Sequence, residues 1–161
     1  MSLIATRLQA MGLSLPAPMQ VPPDMVLPFQ FVRISGGRAF ISGHGPLASD
    51  GSLARPLGKV GRDLTPEQGC QAARLTMLAI LASLQRTLGD LDRITAWTRL
   101  FGMVNSAPGF NRQPNVINGA SDLVLALYGP DIGAHSRSAV GMAELPMDIP
   151  VEIEGEVEIR G

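Results

Sequence analysis

The sequence predicts an α+β domain, a mixed β-sheet with two main helices on one face. Three observations carry this. A glycine-punctuated pair of β-type runs opens the main body, two helical stretches flank a long central β-type run, and two further β-type runs close the chain. The 161 residues, 45% of them hydrophobic, suit a single domain able to bury its own core. No internal repeat or low-complexity tract competes with this order.

The start, "MSLIATRLQAMGLSLP", spaces Leu3, Ile4, Leu8 and Met11 as a short amphipathic helix. Next comes "LPAPMQVPPDMVLP", whose prolines lack backbone donors and predict an extended connector over the surface. "FQFVRI" and "RAFISG" are short strands joined through Ser35, Gly36 and Gly37, a hairpin. "PLASDGSLARPLG" is a loop with a tight turn at Asp50-Gly51. The strongest local signal follows. Thr65 caps a helix, Pro66 suits its first position, Gln68 completes a Thr-x-x-Gln box and Gly89 stops it. Within about 66 to 88, Cys70, Ala73, Met77, Ile80, Leu81, Leu84 and Leu88 form one apolar stripe, assigned to core.

Residues 93 to 105, "RITAWTRLFGMVN", read as a central strand, with Ile94, Ala96, Thr98, Leu100, Gly102 and Val104 on one face. Strict alternation puts Trp97, Phe101 and Met103 on the other. "FNRQPNVINGASDLVLALYG" is a second helix with a glycine stop. The last strand, in "PVEIEGEVEI", sets Val151, Ile153, Val157 and Ile159 against Glu152, Glu154, Glu156 and Glu158. The strand before it, in "HSRSAVGMAELP", puts Ala139, Gly141 and Ala143 on the face of Arg137, with Val140 and Met142 turned toward the helices. Alone, the glutamate ladder is a solvated sheet face. Apolar residues on both faces of the central strand call for a second copy of the chain to cover one of them.

Thirteen Lys plus Arg against fourteen Asp plus Glu leave a net charge of -1, which offers no attractive field to nucleic acid or an anionic membrane. Cys70 is the only cysteine, so an intramolecular disulfide and a CxxC zinc set are excluded. No stretch approaches the roughly 18 apolar residues of a membrane span, and the N-terminal segment lacks an export h-region. A cytoplasmic protein is expected.

"ISGHGP", "NVINGASDL" and "HSRSAVGMAELPMDIPVEIEGEVEI" resemble the YjgF/YER057c/UK114 family, also called the Rid family of enamine/imine deaminases. The resemblance covers about residues 28 to 160, leaving residues 1–27 as an N-terminal helix and proline-rich extension ahead of a YjgF-like domain at 28–161. It implies a chorismate-mutase-like fold, a homotrimer whose sheets line an interior barrel, and substrate clefts between subunits. By position in the family pattern, Arg137 holds a substrate carboxylate and Glu152 handles water or protons. A guanidinium suits the first task because its planar fork makes paired charge-assisted bonds. Ser42, Gly43 and Asn118 border the cleft. Phe29 stands where the family has a cleft tyrosine, and Ala139 replaces a common cysteine, limiting its role to backbone contacts. His44 and His135 also depart from the pattern, and each is read as an ordinary polar loop residue.

The resemblance implies hydrolysis of small 2-imino acids to 2-oxo acids and ammonia, with no metal or organic cofactor required. Two alternatives stand beside it. One is a binding or regulatory trimer without efficient catalysis, which Phe29 favours. The other is the ribonuclease activity often ascribed to the family, which near-neutral charge and few aromatics disfavour.

Overall fold

The longest helix begins where its cap places it. In the computed structural model, which describes residues 2–161, Thr65 accepts from Gln68 N while the Gln68 side chain accepts from Thr65 N. Two orphan amides are satisfied reciprocally, and the helix runs Pro66–Leu88 before Gly89 closes it in a left-handed conformation. The elements in order are α1 (Leu3–Ala10), β1 (Val32–Ser35), β2 (Arg38–His44), α2 (Pro66–Leu88), β3 (Ile94–Asn105), α3 (Gln113–Ile132), β4 (Ser136–Met142) and β5 (Val151–Ile159). Gly36 and Gly37, both at positive φ, make the hairpin turn between β1 and β2. The α3 helix breaks at Gly129, the expected stop, and Pro130 starts one further turn.

The strands form one sheet in the order β1-β2-β5-β3-β4. Only β3 and β4 are parallel, because α3 carries the chain back to the end where β3 began. The two closing strands are therefore not neighbours: β5 lies between β2 and β3, and β4 forms the far edge. Helices α2 and α3 cover one face, where Val151, Ile153, Val157, Leu100 and Val104 are fully buried against Ile80, Leu84, Ile117 and Leu123. No helix among the described residues is long and apolar enough to cross a membrane.

Strict alternation fails in β3, and the reason is visible in the ladder. Register shifts at Ile94/Ala96 and at Trp97/Arg99 each insert one extra β3 residue opposite β5. Trp97 is thereby turned onto the helix side, against expectation, where its ring meets Tyr128 edge-on at 5.7 Å. Truncating so large a buried ring costs about 3–5 kcal/mol. Phe101 and Met103 stay on the second face, where they join Val140, Met142, Leu145 and Ile149 in a smaller apolar cluster.

The β4 strand is turned over relative to the sequence reading. Arg137 pairs with Leu100, and Ala139 with Gly102, so these side chains share the helix-facing side, while Val140 and Met142 point away. Small residues there let α3 approach. A methyl group at Gly141 would lie 2.8 Å from Gln113 Nε2, and one at Gly102 2.6 Å from Ile117. The small-residue pattern after Arg137 thus serves helix packing rather than an open cleft wall.

The N-terminal helix belongs to the same core through Ile4 and Leu8. Asp92 accepts from Leu3 N and Ile4 N at 2.6 and 2.9 Å, placing a carboxylate at the positive end of α1. Arg7 donates to the Leu127 carbonyl of α3. The proline-rich segment holds neither helix nor strand, turns at Pro23–Asp24, and is fastened by Ala17 N to Ser49 O and Gln20 N to Gly51 O, both 2.9 Å. Gly51, at positive φ, forms the expected tight turn.

Candidate functional site

The residues singled out in the sequence fall into two groups. Arg137, Asn118 and Ala139 sit together on the β4–α3 edge. Because Asn118 and Ser121 are three residues apart on α3, both present side chains to the same side of the helix, above Arg137. Arg137 Nη1 donates to Asn118 Oδ1 at 2.8 Å and to Ser121 Oγ at 3.1 Å, and Nη2 reaches the Pro114 carbonyl at 3.4 Å. The half-buried guanidinium keeps its Nε donor and one Nη2 donor unengaged. Among the described residues no carboxylate lies within the 4.0 Å of an ion pair with it. A fixed cation without a counter-charge fits a planar anion.

The second group, Ser42, Gly43, Phe29 and Glu152, gathers where β2 meets β5. A register shift between Ile41 and His44 loosens the ladder here and lets the Glu152 carboxylate lie over Gly43. A methyl group at Gly43 would stand 2.0 Å from Glu152 Oε1, so only glycine admits this placement. Burial pushes the Glu152 carboxyl above its usual range, and the neighbouring Glu154 charge pushes it further the same way. That is the direction a proton-handling carboxylate needs. Ser42 Oγ donates to the Gln30 carbonyl at 2.7 Å, so the hydroxyl braces the segment leading into β1. Phe29 is half-exposed and meets Phe31 edge-on at 5.5 Å.

Both histidines have more structured surroundings than a loop role suggests. His135 Nε2 lies 2.9 Å from Ser121 Oγ and its Nδ1 2.7 Å from Gly133 O. His44 is buried, with Nε2 2.9 Å from Ser83 Oγ and Nδ1 2.6 Å from Ser42 O. Both rings are held at each nitrogen by a protein oxygen. Ser121 was not singled out from sequence, although its i+3 spacing from Asn118 was a readable sign; Ser83 and Arg86 offered none, being hidden in a helix read as core.

The two groups do not meet within one chain. Arg137 stands on the helix-facing side of the sheet, whereas Glu152 pairs with Met103 and shares its second face. One group offers a cation without a carboxylate partner, the other a carboxylate raised by burial.

The fold and these groups define a class. The family model described as "YjgF/chorismate_mutase-like, putative endoribonuclease" matches residues 5–151, and the chain belongs to that family. Protein TCP17 of Trypanosoma cruzi is 38% identical over 157 residues, covering 98% of this chain and 94% of its own. The crystal structure of Atu1372 from Agrobacterium tumefaciens, described as of unknown function, is 38% identical with a TM-score of 0.85, covering 98% and 93% of the two chains. A "putative endoribonuclease" of Shewanella oneidensis MR-1 is 30% identical with a TM-score of 0.88, over 97% and 99%. Escherichia coli TdcF, solved with bound serine, shares the fold at 18% identity and a TM-score of 0.60, over 90% and 94%.

Proposed function

We propose that the chain is a cytoplasmic hydrolase of small 2-imino acids, such as 2-iminopropanoate and 2-iminobutanoate, acting in a cleft between copies of a homotrimer. The observation that carries this reading is the Arg137 guanidinium, oriented by Asn118 and Ser121 and left without a carboxylate partner. The substrate carboxylate takes its two unengaged donors. Bound serine in the structural relative TdcF supports a small carboxylate-bearing ligand.

Arg137 from one copy would face Glu152, Gly43, Ser42 and Phe29 of the next, joining the two half-sites. Glu152 takes one proton from water as the oxygen adds to the C=N carbon and returns it to nitrogen; as the tetrahedral intermediate collapses, the hydroxyl proton passes through the same carboxylate to the departing ammonia. The iminium form plus one water gives the 2-oxo acid and ammonium, so atoms and charge balance. Fixing the carboxylate makes the attack effectively intramolecular, and a carboxyl raised above its usual range holds a transferred proton more readily than an ordinary glutamate. Imine hydrolysis by this route calls on no further group.

A binding trimer without turnover is the second reading, favoured by Phe29, which offers an apolar wall and no phenolic donor. For ribonuclease chemistry the net charge of -1 gives no support. The test generates 2-iminobutanoate enzymatically and follows its loss with and without the protein. Acceleration that disappears in Arg137→Ala supports the hydrolase, and equal rates across several imino acids leave only the binding reading.

A further inference from the structure

The arrangement that holds Arg137 occurs a second time. Arg137 donates to Ser121 Oγ, Ser121 meets His135 Nε2, and His135 Nδ1 meets the carbonyl two residues before it. Likewise Arg86 Nη2 donates to Ser83 Oγ at 3.1 Å, Ser83 meets His44 Nε2 at 2.9 Å, and His44 Nδ1 meets the carbonyl two residues before it, that of Ser42, at 2.6 Å. In each relay the serine oxygen accepts from arginine and lies within hydrogen-bond distance of Nε2. Burial pushes His44 down to about 4, so its imidazole is neutral at neutral pH and Arg86 carries the only charge of this relay.

Arg86 lines a cleft of about 490 Å³ between the proline-rich segment, the β1–β2 hairpin and α2. That volume lies within the range of small-molecule sites. Met19, Val21, Leu27, Phe29 and Phe31 give it an apolar wall. Arg86 Nη1 reaches the Pro16 carbonyl at 3.5 Å, a long bond, and its Nε donor is unengaged. No carboxylate among the described residues is within ion-pair range of it.

We propose that this cleft is a second ligand site, for a small apolar monocarboxylate whose charged end takes the free Arg86 donors and whose hydrocarbon part lies along the five apolar side chains. One fixed cation matches one carboxylate. A second charge on the ligand would meet the apolar wall unpaired, which is strongly unfavourable. The site touches the proposed imino-acid cleft at Phe29 and Gly43, but Arg86 and Ser83 belong to α2, on the sheet face away from Glu152. It stands independently of the hydrolase reading.

The experiment titrates the full chain with 4-methylpentanoate and phenylacetate, and with the alcohols of the same skeletons, by calorimetry. Binding is compared in wild type, Arg86→Gln and Leu27→Asp. Arg86 is exposed, so its replacement does not challenge the core. The expected result is roughly tenfold weaker binding of the carboxylates in Arg86→Gln and of the alcohols in wild type, the loss of one charge-assisted bond. Leu27→Asp repels the carboxylates with Arg86 intact. Undiminished affinity in Arg86→Gln overturns the proposal, as does absence of binding in wild type. No arm reads imine hydrolysis, so this proposal and the hydrolase fail separately.

Discussion

Arg137 and Glu152 lie on opposite faces of one sheet: Arg137 pairs with Leu100 and faces α3, while Glu152 pairs with Met103 and faces away. No side-chain rotation brings them together, because alternation along a strand fixes the face. A site that uses both therefore takes one from each of two copies. The same relationship accounts for the apolar cluster of Phe101, Met103, Val140 and Met142 on the second face, which a single chain leaves half-covered.

Arg137→Lys is expected to behave much like Arg137→Ala. An ammonium keeps the charge but loses the planar fork, and it cannot engage Asn118, Ser121 and a carboxylate in one plane. A fall in kcat/KM of about 100-fold is expected for both, from two lost charge-assisted bonds. Steady-state kinetics on 2-iminobutanoate check this, and full activity in the lysine variant would mean that charge alone suffices.

In the proposed site Ser121 would act through Arg137, as a positioning residue. Ser121→Ala removes one bond that orients the guanidinium, and KM is expected to rise by roughly fivefold with kcat little changed. Ser121→Thr, which keeps the hydroxyl, recovers most of the loss. Equal defects in both variants would instead indicate a packing effect.

Gly43→Ala sets a methyl group 2.0 Å from Glu152 Oε1 and forces the carboxylate away. The expected cost is about 1–3 kcal/mol of stability, with a larger loss of kcat than of substrate binding. Urea unfolding beside kinetics separates the two effects.

The acidic limb of the kcat/KM profile is expected above the ordinary glutamate value of roughly 4.3, because burial and Glu154 both raise the Glu152 carboxyl. Glu154→Gln removes the smaller cause and moves the limb down only part of the way. A limb that stays fixed in Glu154→Gln and persists in Glu152→Gln assigns the titration elsewhere.

His44 gives a pH dependence of stability with a defined sign. Its folded value of about 4 lies below the ordinary 6.5, so between these values the unfolded chain binds more protons. Its contribution is fully present above pH 6.5 and is lost as pH falls toward 4. Wild type is expected to lose about 2 kcal/mol more than His44→Gln between pH 6.5 and 5. Urea midpoints at those two pH values measure it.

Elements set by local chemistry were legible in the sequence. The Thr65–Gln68 box, the Gly36-Gly37 turn and the Gly89 stop each place their element from a few neighbouring residues. What lay out of reach depends on pairing between distant strands. Two bulges in β3 turned Trp97 inward, and the parallel pairing of β4 with β3 turned Arg137 toward α3. Neither leaves a trace in alternation, since a bulge residue looks like any other until its partner is known. The candidate site residues were nameable from the resemblance, and Ser121 could have been read from its i+3 spacing to Asn118, but Ser83 could not, because a serine within an apolar helix reads as core.

The central claim is that one site takes Arg137 from one copy and Glu152 from the next, and mixed oligomers test it most directly. Arg137→Ala and Glu152→Gln chains, each inactive alone, are unfolded together, refolded at equal amounts and assayed on 2-iminobutanoate. Random assembly of a ring puts an intact Arg137 beside an intact Glu152 at about a quarter of the interfaces. Recovery of about a quarter of wild-type activity is the predicted result. A mixture as inactive as its parents, with both chains shown by mass to share the same oligomers, would contradict the account.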